Sequence, residues 1–245
     1  MIEYIAYTKK GDRREKNEDR IFIDNKILAE GTISGKAEDG LVAVVCDGVG
    51  GNAGGEIAAE IVANSFKDMD IPQMSVVSLN KHIQRTNREI MEEQEKHPNY
   101  RNMASTLAGM ILWKNQYIFF NLGDTRIYEI NDGYMKIKTK DHIVMGYEKK
   151  NYITHYMGGE GYSCNPYILK GVFKKDFQTY MICSDGLYNS KSFNCIEKSI
   201  LHTESHEKIK NAILNSAIQN GVADDVSFLL LNIYDSKSSG YPTFS

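Results

Sequence analysis

The run Leu41–Cys46 (LVAVVC) is apolar at every position. It is too short for a helix of ordinary length, which predicts a strand buried on both faces. Gly109–Trp113 and Gln116–Leu122 are two further apolar runs separated by Lys114-Asn115, the pattern of a hairpin. Arg126–Ile130 and Tyr134–Lys138 flank Asn131-Asp132-Gly133, and Asp-Gly between strand-like runs is a strong hairpin signal. In the second of these, apolar and charged residues alternate as in a half-buried strand. Thr179–Cys183, Val226–Tyr234 and the short stretch Ile21–Ile23 complete the strand set.

Three segments carry the helical period instead. Glu56–Phe66 places Ile57 and Ile61 on one line with Ala58, Val62 and Phe66 beside it. Val76–Glu95 sets Val76, Leu79, Ile83 and Ile90 on one face and ends in charged residues. His206–Asn220 turns Ile209, Ala212, Ile213 and Ala217 inward, and Gly221 suits its stop. Hairpins imply antiparallel sheets, and helices apolar on one face must pack against them. The simplest arrangement is two sheets face to face with helices outside. One domain is expected over residues 1–235, followed by a polar tail at 236–245 that contains Gly and Pro.

Composition narrows the function. The formal charge of −3 gives no basic signature for nucleic acid. No apolar run approaches the roughly 18 residues of a membrane helix, and the start MIEYIAYTKKGDRRE does not read as a signal peptide. A cytoplasmic protein is expected. Cys46, Cys164, Cys183 and Cys195 form no C-x-x-C pair, so they read as reduced thiols rather than a zinc site. His202 and His206 are four apart, but in a polar stretch that does not favour a metal role.

The acidic residues matter through where they fall. Asp47 directly follows the buried run and opens DGVGGNAGG; Asp185 follows Tyr180–Cys183 within CSDGL. Asp224 and Asp225 precede the last strand, Glu18 and Asp19 precede Ile21–Ile23, and Asp124 follows Leu122 within GDTR. Any one of these reads as a turn former. Together, carboxylates delivered to one end of a sheet would repel unless cations neutralised them. Oxygen-only ligands suit Mg²⁺ or Mn²⁺. The glycine-rich run is not a phosphate-binding Walker loop, since no Gly-Lys-Ser/Thr follows.

In chain order, the motifs resemble those of the protein phosphatase 2C family, the PPM-type metal-dependent phosphatases, in a prokaryotic variant. Arg14 with Asn17-Glu18-Asp19 is similar to the family's R-x-x-x-E-D element, and Asp47-Gly48-Val49-Gly50-Gly51 to D-G-x-G-G. Ala104-Ser105-Thr106 resembles G-T-T, Gly123-Asp124-Thr125-Arg126 resembles G-D-S-R, and Asp141-His142 resembles D-H. Ser184-Asp185-Gly186-Leu187 resembles S-D-G-L, and Asp224-Asp225-Val226-Ser227 resembles D-N-x-S/T.

The resemblance implies an α+β fold, a four-layer α-β-β-α sandwich with two central antiparallel sheets flanked by helices. It implies a protein serine/threonine phosphatase that hydrolyses phosphoserine or phosphothreonine with a metal-activated water. Two Mn²⁺ or Mg²⁺ ions are implied, with a third weaker site. Asp47 would bridge the two ions, with Glu18 and the Gly48 carbonyl on one side and Asp185 and Asp224 on the other. Asp124 would serve the third ion, Asp19 would order a water, and Arg14 would hold the substrate phosphate. The partners implied are a phosphoprotein substrate and an opposing Ser/Thr kinase, with neither nucleic acid nor membrane, and the protein is expected as a monomer.

The sequence departs from the family pattern at Val49, where some members carry histidine, and at Ala104, Thr125 and Asp225, the last in place of asparagine. Two rival readings stand beside the phosphatase: a catalytically weak pseudophosphatase acting as a regulatory binding module, and an enzyme for small phosphoesters. Arg126 is expected to pair with a nearby acid, Asn87 to make a buried hydrogen bond, and Ser184 to be structural. The stretch Gly146–Pro166, with Lys149, Lys150, Tyr152, His155, Tyr156 and Tyr162, is expected as an aromatic-rich solvated loop at the place of the family's variable flap.

Overall fold

The computed structural model describes all residues except 50–52, 132–133, 146–150, 160–162, 174–176, 191–192, 195, 197, 199–210, 216–221 and 235–245. Fourteen strands are described: β1 (Ile2–Lys9), β2 (Arg20–Ile23), β3 (Lys26–Leu28), β4 (Gly31–Ala37), β5 (Gly40–Cys46), β6 (Leu107–Trp113), β7 (Gln116–Leu122), β8 (Arg126–Asn131), β9 (Tyr134–Ile137), β10 (Ile143–Met145), β11 (Asn151–Ile153), β12 (Tyr167–Val172), β13 (Phe177–Cys183) and β14 (Val226–Tyr234). Three α-helices have described bounds: α1 (Gly55–Ser65), α2 (Val76–Lys96) and the single turn α3 (Asp185–Tyr188).

Two six-stranded sheets carry the fold, in the orders β4-β1-β14-β13-β8-β9 and β12-β7-β6-β5-β2-β3. Every pairing is antiparallel. Side-chain alternation along the strands divides the apolar residues into three layers. Tyr4, Ile21, Ala43, Val45, Met110, Phe119, Ile182 and Leu229 fill the space between the sheets. Val42, Val44, Phe120 and Ile111 point the other way, against Ala59, Val62, Leu79 and Ile83 of α1 and α2. Tyr128, Met181, Phe228 and Leu230 line the outer face of the first sheet, with Leu187, Phe193, Ile196 and Ile213 over them. Helices outside, sheets inside: this is the expected α+β sandwich. Because β5 is buried on both faces, its sequence is apolar throughout.

Turn chemistry sets the register. Lys114 takes φ 53°, closing the β6–β7 hairpin where Trp113 pairs with Gln116. Asp24 and Asn25, at φ 50° and 61°, close a two-residue turn between β2 and β3, the left-handed geometry that suits a tight hairpin and that Asp and Asn tolerate. The β8–β9 hairpin is present, with Asn131 opposite Tyr134; its Asp132-Gly133 tip lies outside the described residues. At α2, Ser75 caps the helix through the Ser78 amide and Ser78 reciprocates, a capping box.

Several expectations change. Residues 211–215 are helical and Ile213 is buried; the rest of the helix expected over His206–Asn220 and its Gly221 stop lies largely outside the described residues, as do Cys195, His202 and the 236–245 tail. Part of the expected loop Gly146–Pro166 is strand, since β11 pairs with β10 in a small separate ribbon. Lys149, Lys150 and Tyr162 lie outside the described residues. Among the described residues no helix is long and apolar enough to cross a membrane.

Candidate metal centre

The same end of both sheets collects the acidic residues. In one sheet, β5 ends at Cys46 opposite Arg20, the first residue of β2, so Asp47 emerges beside Glu18 and Asp19. In the other, Cys183 at the end of β13 lies opposite Phe228 near the start of β14 and opposite Arg126 at the start of β8. Asp185, Asp224 and Asp124 therefore emerge together. Antiparallel pairing makes each of these strand ends coincide with a neighbour's beginning, which gathers acids that are far apart in sequence.

Asp19 is the most deeply set, with 1% exposure. Its Oδ2 accepts the Ser184 hydroxyl at 2.9 Å, and its amide donates to Asn17 Oδ1 at 3.0 Å. Ser184 Oγ in turn accepts the Ser227 amide at 3.0 Å. Thr8 Oγ1 lies 2.7 Å from Ser227 Oγ and accepts from Asn17 Nδ2 at 2.8 Å. Ser184 thus ties the two sheets together through Asp19.

The carboxylates share a strong electrostatic cost. Burial pushes Asp19 up to about 7, with Asp225 and Asp185 adding to it against the hydroxyl hydrogen bonds. Burial likewise lifts Asp185 to about 7, with Asp124 and Asp224 contributing. Asp47 keeps some exposed surface, yet lost hydration, followed by Asp19, Asp185, Asp124 and Asp224, pushes it well above the usual carboxylate range. Asp124 is raised by burial and by Asp141. Glu18 is raised by burial, then by Asp225 and Glu56, against the pull of Arg14.

Arg14 reaches this cluster. Its Nε and Nη2 both donate to Asp224 Oδ1, at 2.8 and 2.6 Å, and Nη1 donates to Glu18 Oε2 at 3.4 Å. Among the described residues no Lys or Arg forms an ion pair with Asp47, Asp124 or Asp185. Gly48 donates its amide to the Glu18 carbonyl at 3.3 Å. A Cβ on Gly48 would lie 2.6 Å from the Gly55 carbonyl carbon and 2.9 Å from Glu18 Cβ, so only glycine lets α1 and Glu18 close on this backbone.

The donor set fits divalent cations: hard oxygen ligands, partly buried, short of positive charge. Among the described residues no three Asp, Glu, His or Cys side chains already close on one point. Asp225 stands apart from Asp224, because both its oxygens are bonded: Oδ1 accepts Gly11 N–H at 2.8 Å and Oδ2 accepts Glu18 N–H at 2.7 Å. The family resemblance assigns Asp224 to an ion and puts Asp225 where asparagine is usual; composition and spacing alone do not separate them.

The family model for protein phosphatase 2C matches residues 30–226. The chain belongs to the protein phosphatase 2C family. The serine/threonine phosphatase stp of Listeria welshimeri serovar 6b is 24% identical over 249 residues, which cover 91% of this chain and 93% of that one. The crystal structure of the serine/threonine phosphatase Stp1 from Staphylococcus aureus shares the fold with a TM-score of 0.76, at 22% identity, covering 95% of each chain. The catalytic domain of the phosphatase PstP, in complex with 2 manganese ions, superposes with a TM-score of 0.73 at 21% identity, over 96% of this chain and all of that one.

Within this phosphatase 2C fold, the remaining polar residues sort by their contacts. Arg126 forks onto Asp141, with Nη2 2.7 Å from Oδ2, and lies 3.7 Å from the Tyr188 ring centre; it pairs with an acid as expected. Tyr188 donates to the Asp124 carbonyl at 3.0 Å and so fixes that turn. Asn87 is half-buried and accepts the Gly158 amide at 2.7 Å, a partly buried bond where a buried one was expected. Cys46 and Cys183 are buried and free, and burial pushes both thiols up, away from the thiolate a nucleophile needs. Lys16 and Glu56, which form an ion pair beside Glu18, carried no recognisable signal in the sequence.

Proposed function

We propose that this chain is a metal-dependent protein serine/threonine phosphatase that hydrolyses phosphoserine and phosphothreonine directly, without a phosphoenzyme. The observation that carries the reading is the convergence of Glu18, Asp19, Asp47, Asp124, Asp185 and Asp224 at one sheet end, with several of them resisting ionisation and Arg14 the cation among them. Asp47 would hold two Mn²⁺ or Mg²⁺ ions between Glu18 with the Gly48 carbonyl and the pair Asp185 and Asp224; Asp124 would hold a third. Bound ions of this kind supply Lewis acidity and bring the pKa of water towards neutrality.

The chain's own groups divide the remaining work. Arg14 turns its planar fork from the carboxylates to the phosphate oxygens, which it matches bidentately. Asp19, held by Ser184, orients the attacking water and accepts its hydrogen bond. Val49 offers no imidazole to protonate the leaving alkoxide, so that proton comes from water. The substrates are phosphoproteins written by an opposing Ser/Thr kinase. We place the enzyme in the cytoplasm as a monomer with one catalytic domain over residues 1–235.

The test is Mn²⁺-dependent phosphate release from a phosphoserine peptide by the wild-type chain and by Asp47→Asn. Release by the wild type and loss to background in the variant is the expected result. A wild type that releases nothing at saturating Mn²⁺ would leave the reading without support. Faster release from nucleotides than from phosphopeptides would move the substrate to small phosphoesters.

A further inference from the structure

We propose that Asp225 is a positioning residue for this site: its carboxylate closes the loop that carries Arg14 and Glu18, setting Arg14 against Asp224 and Glu18 against Arg14. The inference rests on the phosphatase reading above and adds a residue to it. The loop between β1 and β2 must present Arg14 to phosphate and Glu18 to an ion, although it has no regular hydrogen-bond ladder of its own. Its two ends meet on one side chain. Gly11 N–H and Glu18 N–H, seven positions apart, donate to opposite oxygens of Asp225 at 2.8 and 2.7 Å.

Further contacts pass this constraint to Arg14. The Arg14 amide donates to the Gly11 carbonyl at 3.1 Å, and Lys10 Nζ donates to the Gly11 and Arg14 carbonyls at 3.3 and 2.7 Å. The approach is close enough that a Cβ on Gly11 would collide with the Asp224 backbone. Asp225 N–H donates to Asp224 Oδ1 at 2.9 Å, the same oxygen that Arg14 holds. One buried carboxylate therefore fixes the loop at both ends while its amide orients the neighbouring acid.

The chemistry requires a carboxylate. Both backbone groups are donors, and an ionised carboxylate offers an acceptor to each. Asparagine, the residue in the motif this segment resembles, has one acceptor for two donors and would turn its NH₂ against the other N–H. This chain closes the loop at two points where an amide would close it at one.

Asp225→Asn and Asp225→Ala test the proposal. Mn²⁺ affinity is read by calorimetry, inorganic phosphate inhibition by its Ki, and phosphopeptide turnover by KM and kcat. All are measured at a temperature where circular dichroism shows each protein folded. Mn²⁺ binding weakened about tenfold in Asp225→Asn and more in Asp225→Ala is expected, the scale of lost outer hydrogen bonds at metal sites. Phosphate Ki and phosphopeptide KM should rise in parallel.

A purely structural role would lower the melting temperature and leave these constants alone. Folded variants whose Mn²⁺ and phosphate constants stay within about twofold of wild type would overturn the inference. If Asp225→Ala does not fold, Asp225→Asn decides alone. A wild type that binds Mn²⁺ and releases phosphate, beside an unchanged Asp225→Asn, refutes the positioning role only. A wild type inert to both refutes the reading of the site and this inference with it.

Discussion

Removing divalent ions from this protein should cost stability in proportion to pH, and the slope follows from two carboxyls. Asp19 and Asp185 both move from an ordinary value of 3.8 to about 7. A carboxyl held above its unfolded value binds more protons in the folded chain. Its penalty is absent below about pH 4, grows as pH rises, and is complete above about pH 7. For one such group the cost is about 1–2 kcal/mol at pH 5 and about 4 kcal/mol by pH 8. Asp19 and Asp185 belong to one interacting cluster, so their costs do not simply add. His82 works in the opposite direction. Burial lowers it from 6.5 to about 4, so stability is lost as pH falls below 6.5. It sits on α2 against Ser65 and Phe66, beyond the site. Subtracting the melting curve in chelator from the curve in saturating Mn²⁺ cancels His82 and leaves the carboxylates. The stabilisation by Mn²⁺ should therefore grow between pH 5 and 8 by about 3 kcal/mol, or about 6–12 °C for a chain of this size. Differential scanning fluorimetry at four pH values reads it directly. An increment equal at pH 5 and pH 8 would refute the idea that burial and mutual repulsion raise these acids.

Two substitutions separate the site from the scaffold. Gly186→Ala places a Cβ into the Asp225 carbonyl; overpacking of about 1–3 kcal/mol should lower the melting temperature by about 3–10 °C and weaken Mn²⁺ binding, and calorimetry with unchanged affinity would disprove the connection. Phe66→Ala removes a ring that stacks on Phe120 at 5.7 Å and packs near Phe22 at 6.2 Å, so unfolding in urea should show a loss of about 3–5 kcal/mol, while Mn²⁺ affinity at low temperature stays at the wild-type value.

The parts of the fold that were legible in the sequence are those whose burial is symmetrical or one-sided enough to leave a period. β5 reads as an unbroken apolar run because both its faces are covered. α2 reads as a stripe because Leu79, Ile83 and Ile90 are driven inward, with Thr86 beside them. β3, β4 and β12 were not predicted, and all three lie at or next to sheet edges where little is buried. In β4 (GTISGKA) no residue is fully buried, so its place is set by pairing with β1 rather than by its own side chains. β1 was missed for another reason: IEYIAYTK mixes tyrosine and charge, and its burial is visible only once β14 and β4 stand on either side. The two-residue turn at Asp24-Asn25 did carry a signal, since both residues tolerate left-handed backbone.

The acids were legible for a geometric reason. A buried strand ends where its apolar run ends, so an aspartate one residue later has its position fixed to within a turn. What sequence cannot give is the direction in which each carboxylate is spent. Asp224 and Asp225 are adjacent and chemically identical, yet one meets Arg14 and the other meets two backbone amides. The difference arises from antiparallel strand entry at Val226, where successive side chains face opposite sides. It follows that charge at this sheet end serves two purposes at once. Asp225, bonded by N–H groups on both oxygens, organises the loop. Asp19, Asp47 and Asp185, lacking such saturation, concentrate negative potential that the folded chain tolerates because three apolar layers supply the stability. On the proposed reading, bound cations would release the cost of that potential, and the site would gain affinity from the same burial that makes it unfavourable without them.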